Sequence, residues 1–407
     1  MTSKERVKLA INHKEADRVP VDIGGTKSTG ISADEYIELG LRLGFDIELP
    51  KVFDQYQILA RVEEPMRSWF RTDVIPLENY SEFCDMQNKD WKVWETAAKH
   101  KVLMPGQFNP EIDEKGYMYL RDKNGKLAAF KSPEALYFEN YLKENVSSED
   151  MMLPEEWKGS IPLYSDEELK VLAKRAKQLY ENYQYAIIGA YGKLKMTTTG
   201  IFAGHTFTDW LCRLYTDPDY VYEILEATVE RNIENLKLYF EAVGRYIDIV
   251  FVSTTDYGTQ RREFFSPDIF KELYMPNLKK LNDFVHQNTD IKTMYHSCGS
   301  ISGIIGYMIE AGIDIINPVQ TTAENMDPVT LKEKFGKDIV FWGGGIDTQT
   351  VFQHGTPEEV EAQVKERIEI FGKGGGFVFT PVHNIQYEVP VENIIAMRNA
   401  VLKYGNY

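Results

Sequence analysis

From residue 185 onward the chain alternates short apolar runs with amphipathic helical stretches, and this alternation restricts the fold more than any other feature. The runs are "YAIIGAY" (185–191), "IDIVFVSTTD" (247–256), "IKTMYHSC" (291–298), "IDIINPVQ" (313–320), "IVFWGGGID" (339–347) and "GFVFTPVH" (376–383). They are rich in β-branched and aromatic residues and mostly lack strict polar alternation. Strands buried on both faces of a parallel sheet read this way. Between them lie helical stretches such as "PDYVYEILEATVERNIENLKLYFEAV" (218–243) and "PDIFKELYMPNLKKLNDFVHQ" (267–287). Another, "TPEEVEAQVKERIEIFGKGG", opens on a Thr356 cap and Pro357 and stops at Gly372. Two earlier runs, "RVPVDIGG" (18–25) and "RTDVIP" (71–76), bring the number of strand–helix units to eight. Eight units predict an α/β protein with a (β/α)8 TIM barrel, for which about 250 residues is typical.

The 407-residue chain exceeds that size mainly at 77–182, after the second strand. There "GYMYLRDKNGKLAAF" (116–130) sets an Asn-Gly dipeptide between strand-like flanks, a hairpin signal. The expectation is one domain, 1–407, with 77–182 as an inserted hairpin and cap over a barrel mouth. An open doubly wound sheet alternates in the same way, but "IGGTKSTG" lacks the G-x-G-x-x-G spacing of a dinucleotide site. "WGGGID" and "KGGGF" lack a Gly-Lys-Ser/Thr ending and read as tight turns at strand ends.

A net charge of −16 argues against nucleic acid or an anionic membrane as partner. No run approaches the roughly 18 apolar residues of a membrane span, and the N-terminal stretch has no apolar signal core. Cys84, Cys212 and Cys298 are scattered and odd in number, which fits a reducing cytoplasm. Cys84 lies in an acidic loop and Cys212 reads as the inner face of a helix, both structural. Nothing fixes the oligomeric state, and a homodimer is allowed.

Barrel active sites lie at the C-terminal strand ends. The polar residues ending the runs are Asp22, Tyr191, Asp256, His296 with Cys298, Asn317 with Gln320, Asp347 and His383. Some of these cap the helix that follows. His296 and Cys298 share a face if the strand continues, since residues i and i+2 point the same way. Two such ligands hold zinc only if other elements complete the tetrahedron. His383 ends another strand. Asp256 is either a general acid, a ligand-orienting group or a turn residue. His205, among Phe202, Phe207 and Trp210, marks a substrate wall or core packing.

"KERVKLAINHKEADRVPVDIGG" resembles the opening of the uroporphyrinogen decarboxylase superfamily, particularly its corrinoid-dependent methyltransferase branch. "TTDYGTQRREFFSPDIFKELYMPNLKKL" is similar to the superfamily's D-x-G-x-Q segment and following helix, and "YHSCGSI" to its H-x-C-G element. "FWGGGIDTQ" and "GGGFVFTPVHNIQYEVPVENIIAM" resemble its last two strands and closing helix, so the likeness runs over nearly the whole chain. It implies a (β/α)8 barrel. Decarboxylases of the superfamily carry an arginine-rich R-Q-A-G-R-Y segment, whereas "IGGTKSTG" offers Lys27 alone.

In the methyltransferase branch a His-x-Cys pair and a distant cysteine bind zinc. His296 and Cys298 match the pair, and His383 stands where the pattern has the cysteine. A neutral imidazole in place of a thiolate makes the site more positive by one charge, which favours an ether or phenolate oxygen over a thiol. The resemblance thus implies zinc and an O-demethylating methyltransferase. Its small methylated substrate, an aryl methyl ether, would give its methyl to cob(I)alamin on a corrinoid carrier protein. The expected substrate wall is Phe202, His205, Phe207, Trp210, Tyr257 and Trp342, with Asp256 catalytic. The carrier's own D-x-H-x-x-G pattern is absent. Thiol methylation, decarboxylation and a non-catalytic ligand-binding member are the alternatives.

Overall fold

The computed structural model describes residues 1–407 except 48, 82, 123, 142–150, 191, 192 and 194–201. Tyr191, expected to end a barrel strand, lies outside the described residues. Two short strands, β1 (Val52–Asp54) and β2 (Leu59–Ala60), pair antiparallel near the N-terminus. The parallel sheet begins with β3 (Val74–Leu77). Two antiparallel units follow: β4 (Lys92–Glu95) with β5 (Lys101–Met104), then β6 (Glu111–Ile112), β7 (Met118–Arg121), β8 (Leu127–Lys131) and β9 (Glu139–Asn140). In the second unit β7 and β8 flank the Asn124-Gly125 turn and pair directly.

The parallel sheet resumes with β10 (Ala186–Ala190), β11 (Ile249–Thr254), β12 (Lys292–His296), β13 (Ile315–Asn317), β14 (Val340–Trp342) and β15 (Phe377–Val378). Its seven strands run in the order β15-β14-β13-β12-β11-β10-β3, every pairing parallel, with helices in the connections. This curled α/β sheet is TIM-barrel-like.

The stretch 18–25 does not form the regular first strand expected of it. Pro20 has no N–H to give, so a continuous ladder is broken there. The segment nonetheless bridges the two ends of the sheet. On one side Phe379 N donates to Pro20 O at 2.8 Å and Asp22 N to Phe379 O at 2.9 Å. On the other, Asp73 N donates to Val21 O at 2.7 Å, while Val21 N and Ile23 N donate to the side chains of Asp73 and Thr72.

Alternation along the strands separates two buried layers. Val74, Ile188, Ile249, Phe251, Met294, Ile315, Val340, Trp342 and Val378 form the inner cluster, joined by Val7, Ala10 and Ile11 from the N-terminal helix and its end. Ile75, Ile187, Val250, Val252, Tyr295, Ile316, Phe341 and Phe377 belong to the outer cluster with the helices. The helix Pro357–Arg367 starts on the expected Thr356 cap, which forms a full capping box with Glu359. The stretch expected as one helix over 267–287 contains a π turn at Phe270–Tyr274 before continuing as Met275–Asn288. Pro276 cannot donate back along the α-helical ladder, so the register widens there.

Cys212 departs from its expected place and is exposed. The helix Phe207–Thr216 buries Trp210 and Leu214, four residues apart, and Cys212 falls between them on the other side. Among the described residues no helix is long and apolar enough to cross a membrane.

Candidate functional site

His296 is the last residue of β12 and lies two positions beyond Met294, so it continues the inward-facing row. The chain then turns through Ser297, Cys298 and Gly299. Gly299 has φ +90°, and a Cβ there would stand 2.4 Å from the carbonyl carbon of Gly258. A Cβ on Gly258 would stand 2.7 Å from the Ser300 carbonyl oxygen. The turn after β12 therefore rests backbone-to-backbone on the turn after β11, an approach that only glycine permits.

That contact sets Asp256 against Cys298. Cys298 N donates to Asp256 Oδ1 at 2.8 Å, Tyr257 N to Ser297 Oγ at 2.9 Å, and Gly299 N to Gln320 Oε1 at 2.7 Å. Three potential ligands result. Cys298 Sγ lies 3.4 Å from His296 Nε2, and His296 Nε2 lies 3.6 Å from Asp256 Oδ1. The ligand atoms of all three fall within 4.8 Å of one another.

A hydrogen-bond chain assigns the tautomer of His296. Asn317 Nδ2 donates to the Trp342 carbonyl at 2.9 Å, which turns the amide oxygen toward His296. Nδ1 of His296 lies 2.9 Å from that oxygen and must carry the hydrogen. The lone pair is then on Nε2, facing Cys298 and Asp256. Such outer partners are the usual means of presenting a histidine to a metal. Burial pushes the Cys298 thiol well above its ordinary range, and the adjacent Asp256 adds to the effect. A bound divalent cation reverses this, because the ligating form of cysteine is the thiolate. One imidazole, one thiolate and one carboxylate suit tetrahedral zinc with a position left open. The residues fit the metal.

His383 faces this group, its ring 6.4 Å from that of His296, centroid to centroid. Burial, reinforced by His296, lowers its pKa to about 4, so the imidazole is neutral near pH 7 and keeps a lone pair. The compact triad is completed by Asp256, with His383 as the next donor out.

Tyr137 had no sequence signal. It sits between β8 and β9, its ring 6.5 Å from His383 and stacked on Tyr56. Gln386 Nε2 donates to its hydroxyl at 2.9 Å. Burial, then the proximity of Cys298, pushes its pKa up to about 12. A tyrosine in an irregular loop has no periodicity to reveal it.

The six aromatic and histidine positions expected to line a substrate wall make packing contacts and hydrogen bonds of their own. Phe202 packs against Trp157 and Trp210, and the Trp210 indole donates to Tyr274 Oη at 2.8 Å. His205 Nε2 lies 3.2 Å from Tyr220 Oη. Tyr257 is buried edge-on to Phe265, Phe270 and Tyr274, and Phe207 packs on Phe264. Trp342 belongs to the inner cluster, its indole N–H donating to Asp22 Oδ2 at 2.8 Å. Among the described residues, none of the six has a ring contact or side-chain hydrogen bond to His296 or Cys298. Trp342 reaches the site through its carbonyl.

The sequence model of the family described as "Uroporphyrinogen decarboxylase (URO-D)" matches residues 145–404. The methylcobamide:CoM methyltransferase MtbA of Methanosarcina mazei is 28% identical over 182 residues, covering 44% of this chain and 50% of that protein. The chain thus matches about half the length of this curated relative. The solved structure of a methyltransferase from Methanosarcina mazei superposes with a TM-score of 0.57 at 15% identity, over 99% of both chains. A putative vitamin-B12-independent methionine synthase from Listeria monocytogenes matches at a TM-score of 0.38 and 12% identity, over 59% of this chain and 69% of that one.

Proposed function

This chain belongs to the uroporphyrinogen decarboxylase (URO-D) family, and we propose that it acts there as a zinc-dependent, corrinoid-linked methyltransferase. The methyl group would pass from a methoxylated donor, an aryl methyl ether, to cob(I)alamin carried by a separate corrinoid protein. The observation that carries this reading is the Asp256–His296–Cys298 group at the C-terminal ends of β11 and β12, with His296 Nε2 presented by Asn317. The partial match to a methylcobamide:CoM methyltransferase supports the methyl-transfer class.

Zinc held by these residues would supply Lewis acidity toward the ether oxygen, where negative charge develops as the methyl leaves. The protein's own groups do the rest. Asn317 keeps the His296 ring in one tautomer, and the Gly258–Gly299 contact holds Asp256 against Cys298. His383, neutral near pH 7, is a further donor. The Tyr137 phenol stays protonated and can hydrogen-bond the departing oxygen. The 77–182 segment, which brings Tyr137, would serve as a cap within a single 1–407 domain. The carrier protein would dock at the same mouth, in the cytoplasm.

Metal analysis of protein purified without chelator tests the centre. About one zinc per chain is expected, with loss in His296→Ala and Cys298→Ser; His383→Ala shows whether that imidazole takes part. Incubation with cob(I)alamin and methoxylated aromatics should convert the cob(I)alamin absorbance to that of the methylated form. Zinc far below stoichiometry with full activity, or carbon dioxide release from a porphyrinogen, would overturn the reading.

A further inference from the structure

A cavity of about 300 Å³ lies between the antiparallel segments and the barrel, walled by Trp94, Met104, Phe108 and Met118. Lys131, the last residue of β8, lines it and is only 5% exposed. Its Nζ donates to the Ser132 carbonyl at 3.3 Å, and among the described residues no carboxylate lies within ion-pairing distance of it. Burial holds its pKa below the ordinary lysine value, and Glu134 and Asp34 offset this only from beyond ion-pairing distance; an ammonium withdrawn from water without a paired counter-ion is costly. Two acids also line the cavity. Asp34 is already engaged by Thr96 and by His100 Nδ1 at 2.9 Å, and Glu134 is solvent-exposed. Gln386 is another polar lining group, and it is the residue that donates to Tyr137 beside His383.

We propose that this cavity binds a small carboxylate carried on an apolar or aromatic body, with Lys131 pairing to the carboxylate and the Trp94, Phe108 and methionine walls enclosing the body. The volume suits a single-ring molecule and lies at the small end of ligand pockets. A buried lysine with one weak partner supplies charge, and the walls supply the apolar surface. Gln386 joins the cavity wall to Tyr137, whose ring lies 6.5 Å from that of His383. The carboxylate could belong to the methyl donor of the proposed reaction or to a separate ligand. Binding itself does not rest on the methyltransferase reading.

Calorimetric titration with benzoate, 4-methoxybenzoate and benzyl alcohol tests it. Both acids should bind at least about tenfold more tightly than the alcohol, the scale of a hydrogen bond to a charged group. Lys131→Met should erase that preference, while His296→Ala should keep it even if methyl transfer is lost. In a crystal soaked with 4-bromobenzoate, the anomalous bromine signal should fall inside the cavity, a check that needs no variant. Competition of benzoate with methyl transfer from 4-methoxybenzoate marks the donor as the occupant; binding without competition marks a separate ligand. Equal binding of acid and alcohol, unchanged binding in Lys131→Met, or bromine outside the cavity would overturn the proposal.

Discussion

Replacing Asn317 by alanine would isolate the device that presents His296. Asn317 is fully buried and makes two bonds, donating to the Trp342 carbonyl and accepting at 2.9 Å from His296 Nδ1. Alanine leaves a buried donor and a buried acceptor unpaired, at about 1–3 kcal/mol each. Unfolding stability should therefore fall by roughly 2–4 kcal/mol once partial relaxation is allowed. The metal effect is separate. Losing the outer partner of a ligating histidine typically weakens metal binding 10–100-fold, or about 1.4–2.7 kcal/mol. Zinc affinity would be read by competition with a chromophoric chelator at fixed pH, and stability by urea unfolding. Asn317→Asp provides the contrast. It keeps an acceptor toward Nδ1–H and should hold zinc within about tenfold of wild type, while still leaving the Trp342 carbonyl unpaired. If folded Asn317→Ala binds zinc within about twofold of wild type, Nε2 presentation by Asn317 is refuted.

Gly299→Ala would place a Cβ against Gly258 backbone atoms at φ +90°; strain and contact together should cost about 2–4 kcal/mol and cut zinc content, and unchanged melting and metal content would contradict the close-approach argument. Glu35 is 2% exposed with Oε1 unpartnered, and burial raises its pKa to about 9, reinforced by neighbouring acids. The raised value means the folded state holds a proton that the unfolded state releases above its ordinary value of 4.5, so stability falls as pH rises from there toward 9. By pH 7 the loss should be about 3 kcal/mol; Glu35→Gln should flatten the slope of urea-unfolding stability between pH 5 and 8, and parallel slopes would count against it. Tyr137→Phe keeps the ring beside His383 but loses the Gln386 bond; methyl transfer should drop no more than about tenfold, against a larger loss in Tyr137→Ala; equal rates in the two variants would remove the ring from the site, and a wild-type rate in Tyr137→Phe would remove the hydroxyl.

The strand ends show how far a linear reading reaches. His296, Cys298 and Asp256 were legible because each closes an apolar run, and the ends of neighbouring parallel strands meet at one rim. The aromatic positions are harder to read because burial and binding draw on the same residues. Phe202, Trp210 and Tyr257 pack in one cluster, Trp210 and Tyr257 meeting through Tyr274, and nothing in their spacing distinguishes that from a substrate wall. Trp342 follows strand alternation into the inner layer, where Asp22 holds its indole.

The alternation of apolar runs and amphipathic helices determined by itself that this chain builds a parallel sheet with helices in the connections, since burial on both strand faces allows little else. The H-x-C spacing determined that two potential ligands share one strand end. Tertiary structure decided the remainder: that Asp256 is the third close donor, that Asn317 selects the His296 tautomer, and that Tyr137 and Lys131 arrive from the segment between β3 and β10. Each of these joins residues far apart in the chain, through backbone approach or through a hydrogen bond whose direction depends on a third group. Local pattern carries periodicity, and it carries no information about which distant side chain will be left facing which.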